Sequence, residues 1–133
     1  VLAVDDNRVN LKVITELLKQ YGITSDTASG GRQSIEMVQN NPKYDLIFMD
    51  YMMPEIDGRE ATMEIRKMPG CSAQELPIVA LTADVLSGTK ESLLSCGMND
   101  YLAKPVKLNE LKQIMYKYVP LHMRQYEDRS EPG

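Results

Sequence analysis

Leu46-Ile47-Phe48-Met49 is an unbroken apolar run that stops at an acid, Asp50. A run this short with no polar alternation fits a strand covered on both faces. Working outward, Ile78-Val79-Ala80-Leu81 is a second such run and stops at Thr82. Residues 1–4 form a third and stop at Asp5-Asp6. Tyr101-Leu102-Ala103 is shorter and stops at Lys104-Pro105. Residues 23–28 are more polar and read as a weaker strand at a sheet edge.

Helical periodicity fills the gaps. In residues 7–21, Val9, Val13 and Leu17 stand beside Asn10, Ile14 and Leu18, which predicts an apolar stripe built from both rows. Asp6 or Asn7 is the expected N-cap and Gly22 the stop. Gly30-Gly31 breaks the chain before a second helix with Ile35, Met37 and Val38, ending near Asn40-Asn41-Pro42. A loop with Pro54 and Gly58 leads to a third helix over 59–67, and 68–77 reads as loop. A fourth helix covers about 87–95 and stops at Gly97. A fifth covers 108–118, with Leu108, Leu111, Met115 and Val119 on one side. Strand and helix thus alternate five times, which implies α/β architecture: a doubly wound parallel sheet with helices on both faces. Right-handed crossovers favour the flavodoxin-like (βα)5 order 2-1-3-4-5. One domain over 1–119 is expected, with 120–133 a polar tail or linker that frays.

Composition narrows the function classes. At 133 residues the chain can bury a core without staples. A net charge of −4 and no Lys/Arg cluster argue against direct nucleic-acid binding. No apolar run approaches the ~20 residues of a membrane span, and no basic segment precedes an apolar one as in a signal peptide. A cytoplasmic domain, monomeric or weakly dimeric, is expected. Cys71 and Cys96 lack metal-ligand spacing and read as free thiols. His122, the only histidine, reads as a surface residue.

The polar residues that end the strands carry the chemistry. In a parallel sheet the carboxyl ends share one edge, and ligands bind there at the switch in strand order. Asp5, Asp6, Asp50, Thr82 and Lys104 should therefore converge. Singly, each has an ordinary reading: a helix cap, a strand end, a solvated lysine. Together, three carboxylates resist ionising side by side, and a divalent cation resolves the conflict. Oxygen ligands with room for water suit magnesium. A magnesium ion held this way commonly meets a phosphate. Lys104 can neutralise phosphate charge, Thr82 can donate to a phosphoryl oxygen, and a carboxylate can itself be the nucleophile.

VDDN at 4–7, MDYMMPEIDG at 49–58, ALTAD at 80–84 and DYLAKP at 100–105 resemble the receiver domains of two-component response regulators, over essentially residues 1–119. The resemblance implies that Asp50 is the phosphoacceptor and that Asp5 and Asp6 hold magnesium. Met52 would offer its backbone carbonyl to the metal. It also implies Thr82 as the switch hydroxyl, Tyr101 as the switch aromatic and Lys104 as the phosphate-contacting lysine. Ala83 would leave the phosphate site open, and Asp84 would either influence attacking water or stand as a solvated loop carboxylate. The Lys104–Pro105 bond is expected to be cis. Partners implied are a histidine kinase or a histidine phosphotransfer domain. Residues 54–66 and 91–105 look like receivers attached to hybrid sensor histidine kinases, although a stand-alone response regulator would share the same motifs. An aspartyl-nucleophile phosphohydrolase is a further alternative, but those of the haloacid dehalogenase type carry a spaced acid pair on the first strand.

Overall fold

The computed structural model describes residues 1–40, 44–83, 89–121 and 123–124. Asp84 and His122 lie outside them. The strands are β1 (Leu2–Val4), β2 (Asp26–Ala28), β3 (Ile47–Asp50), β4 (Ile78–Thr82) and β5 (Asp100–Ala103). The helices are α1 (Arg8–Lys19), α2 (Gly31–Asn40), α3 (Gly58–Arg66), α4 (Thr89–Ser95) and α5 (Leu108–Tyr118). All strand pairs are parallel, and the sheet order is β2-β1-β3-β4-β5. This is the expected order, with the polar strand β2 at an edge.

Strand alternation divides the core in two. Leu2, Val4, Ile47, Met49, Ile78 and Ala80 face one side, where they pack with Val38, Ala61, Ile65 and Leu93. Ala3, Phe48, Val79 and Leu81 face the other and pack with Ile14, Leu18, Leu111 and Met115. So α2, α3 and α4 cover one face, while α1 and α5 cover the other. Successive side chains of a strand point to opposite faces, and a strand buried on both faces must be apolar throughout. That is why β3 and β4 carry no polar residue before their last positions.

Three details depart from the sequence reading. The α1 stripe is narrower than two rows: Ile14 and Leu18 are buried, whereas Val9 is 69% and Val13 41% exposed. At 3.6 residues per turn Val9 lies about 140° around the helix from Ile14, too far to reach the sheet. Gly31 does not break the chain; it is buried and opens α2. A Cβ there would meet the Ile56 carbonyl oxygen at 2.5 Å, so its lack of a side chain lets the β3–α3 loop lie against the helix. Met123 is fully buried in the second core half, so the expected tail is packed at this residue.

Candidate functional site

Sheet register brings the acids together. Val4 pairs with Met49, so the next residues, Asp5 and Asp50, leave adjacent strands side by side. Both are buried, while Asp6 is exposed. One carboxylate oxygen from each of Asp5, Asp6 and Asp50 can be chosen so that all three lie within 4.8 Å of one another. Thr82 ends β4 one register step beyond Asp50's partner Leu81, and it is buried. Its carbonyl oxygen accepts from the Lys104 N–H at 2.8 Å, which ties the end of β5 to the end of β4. The Lys104–Pro105 bond is cis, as expected.

Lys104 bridges two acids. Its Nζ lies 2.7 Å from Asp50 Oδ1 and 3.2 Å from Asp5 Oδ2. Burial pushes the Asp50 carboxyl up to about 7; the Lys104 hydrogen bond opposes this and the Asp5 charge adds to it. Burial pulls the Lys104 ammonium down, but its contacts with Asp50 and Asp5 outweigh burial and hold it above the ordinary value. An ion pair alone would lower the acid and raise the base. Here both move up, because burial outweighs the Lys104 contact at Asp50 while two carboxylates hold the one ammonium. The cluster is short of positive charge.

Two oxygens mark where that charge belongs. Asp5 Oδ2 and Asp50 Oδ2 are buried and accept no hydrogen bond; Asp5 Oδ2 has the 3.2 Å ion pair with Lys104, and Asp50 Oδ2 has no partner. A buried polar atom left unpaired is costly, and an all-oxygen set open to water on the Asp6 side suits magnesium. The donor set therefore fits the ion expected from the sequence.

The other residues singled out in the sequence fall nearby in different ways. Met52 is 72% exposed, and its N–H donates to Asp50 Oδ1 at 3.4 Å. Ala83 is exposed beside Thr82. Tyr101 is partly buried and packs against the first core half. A groove of about 520 Å³ lies away from the acids; it runs between β5 and α5 past Tyr101, Ile114 and Lys117. The crevice touching Asp5 and Lys104 is about 30 Å³.

Sequence reasoning missed the part played by Gly58. A Cβ on it would collide with the Asp50 carbonyl oxygen. The signal was present as the glycine closing MDYMMPEIDG, but nothing in the sequence shows that α3 starts against the back of Asp50. Asp57, unremarked in the sequence, caps α3 by accepting from the Glu60 N–H at 2.9 Å.

Known proteins share this arrangement of fold and sequence. The family model for the response regulator receiver domain matches residues 1–116. The chain is 41% identical over 120 residues to the signal transduction histidine-protein kinase BarA of Escherichia coli, an overlap covering 90% of this chain and 13% of that protein. It thus spans a small part of such curated relatives. A solved receiver domain of a Pseudomonas aeruginosa sensor histidine kinase, with magnesium coordinated in its active-site cleft, is 40% identical with a TM-score of 0.80, covering 90% of this chain and 95% of that one. A Saccharomyces cerevisiae response regulator receiver domain, co-crystallised with its histidine phosphotransfer signalling protein, is 30% identical with a TM-score of 0.80, covering 92% and 89%.

Proposed function

The chain belongs to the response regulator receiver domain family, and from that premise we propose that Asp50 accepts a phosphoryl group from a phosphohistidine on a histidine kinase or histidine phosphotransfer domain. The observation that carries this is Asp50 itself: a buried carboxylate with one oxygen left without a hydrogen bond, beside Asp5, Asp6 and Lys104. Asp5, Asp6, Asp50 and the Met52 carbonyl would hold magnesium. When bound, the ion supplies positive charge to phosphoryl oxygens. The relative with magnesium in its active-site cleft supports a metal at this edge.

The chain's own residues supply the rest. An Asp50 oxygen attacks phosphorus in line; the P–N bond breaks as the P–O bond forms, and the histidine nitrogen keeps the electron pair. Lys104, now paired with Asp50 Oδ1, turns to the transferred group and neutralises it. The Thr82 hydroxyl donates to a phosphoryl oxygen, and Tyr101 follows inward. The surface of α4, β5 and α5 then changes as a two-state element. Catalysis is positioning and charge stabilisation. The donor docks as a protein over this edge of the sheet. The co-crystallised yeast relative supports the same partner class.

The parent is a hybrid sensor histidine kinase, a reading supported by the sensor and histidine kinases among the relatives. The domain works in the cytoplasm; among the described residues no helix is long and apolar enough to cross a membrane. Transfer from a phosphorylated histidine phosphotransfer domain tests the assignment. Wild type should take up label only with magnesium, and Asp50→Asn should take up none. Magnesium-dependent uptake persisting in Asp50→Asn would sink it.

A further inference from the structure

We infer that Asn7 is the positioning residue of the acidic pair, holding Asp5 and Asp6 in metal-binding geometry from both sides of one turn. The inference rests on the magnesium reading above.

Asn7 makes two kinds of contact. Its main-chain N–H donates to Asp5 Oδ1 at 2.9 Å. Its side-chain Oδ1 accepts from the Val9 N–H at 2.8 Å and the Asn10 N–H at 3.4 Å, capping α1. Its carbonyl oxygen accepts the first helical bond, from the Leu11 N–H at 3.2 Å. The backbone at Asn7 is extended, with φ −101° and ψ 117°, so the strand turns into the helix here.

The consequence for Asp5 is directional. With Oδ1 engaged by Asn7, the one oxygen left is Oδ2, which is buried, accepts no hydrogen bond and faces Lys104. Turning the carboxylate away from the cluster would break the Asn7 bond. Asp5 is also tied from the other side, its N–H donating to the Ala28 carbonyl at 3.1 Å. Asp6 sits between two fixed residues, so its main chain is held although its side chain is exposed. Residues that orient metal ligands cut the ordering cost of binding, and their loss weakens affinity.

The side chain of Asn7 acts through the turn, not on the ion. Removing it frees the start of α1 and leaves the Asn7 N–H to wander from Asp5. Asn7→Ala should weaken magnesium binding about fivefold, less than the roughly 10–100-fold of a side chain that touches a metal ligand directly, because this one acts through the turn. Asn7→Ser keeps a capping oxygen and should restore affinity to within about twofold of wild type.

Magnesium titration by calorimetry on wild type, Asn7→Ala and Asn7→Ser, with unfolding midpoints for each, tests this. Weakened binding in Asn7→Ala with recovery in Asn7→Ser supports it. Wild-type affinity in Asn7→Ala overturns it, whatever happens to the midpoint, because a merely structural cap would move the midpoint alone. Asn7→Ser binding as weakly as Asn7→Ala also overturns it. A wild-type chain that binds no magnesium would instead overturn the magnesium reading, and this inference with it.

Discussion

Asp50 is held against its own chemistry. An ordinary aspartate ionises near 3.8, and burial raises this one to about 7. The folded state therefore binds the proton more tightly than the unfolded chain. Stability from this group is present below about pH 4 and is lost as pH rises through the window up to about 7. Asn cannot ionise, so Asp50→Asn should stabilise the metal-free domain at pH 8. The full displacement sets a ceiling of ~4 kcal/mol, and Lys104 losing its partner trims it to on the order of 2 kcal/mol. The gain should shrink as pH falls toward 4. Urea unfolding at pH 8 and pH 5 checks this; a less stable variant at pH 8, or a gain equal at both values, would contradict it. Much of this residue's setting was legible in the sequence, since strand ends fix which side chains share an edge. The double pairing of Lys104 was not, because it depends on where a flexible side chain settles among acids remote in the chain.

At the scale of elements, glycines and caps seat the loops around Asp50. Gly58 opens α3 directly behind the acid, and its N–H donates to the Tyr51 carbonyl at 3.1 Å. A methyl there has no room beside the Asp50 carbonyl and would lie 3.0 Å from Tyr51 Cα. Both obstacles are backbone, so neither can swing aside. Gly58→Ala should cost ~2 kcal/mol in urea unfolding, read as a lower midpoint at unchanged slope. An unchanged midpoint would show that the loop yields freely. At the far end of the same helix, Arg66 donates to the carbonyls of Gly97, Cys71, Ser72 and Leu76 and to Asn99 Oδ1. It ties the 71–77 loop to the exit of α4. Helix types and order were legible from periodicity, and α5 matches its expected bounds. Gly31 and Arg66 were not legible: their roles come from contacts between distant segments, which periodicity does not encode.

At the scale of the whole molecule, four strand ends bring one chemistry to one edge. β1 supplies Asp5 and Asp6, β3 Asp50, β4 Thr82 and β5 Lys104. The parallel order makes this convergence legible in the sequence, because in such a sheet every carboxyl end lies on the same side. What the order alone did not show is the charge balance, one ammonium against two buried carboxylates with two oxygens left without hydrogen bonds. That imbalance is the reason to expect a cation at this edge, and the cation in turn is what would let a phosphoryl group approach. The central claim is that the group lands on Asp50. Tandem mass spectrometry after reaction with acetyl phosphate, followed by borohydride reduction of the acyl phosphate, locates it directly. Reduction is expected at residue 50 alone, and chelating magnesium should abolish it. Reduction at Asp5 or Asp6 with Asp50 intact would contradict it.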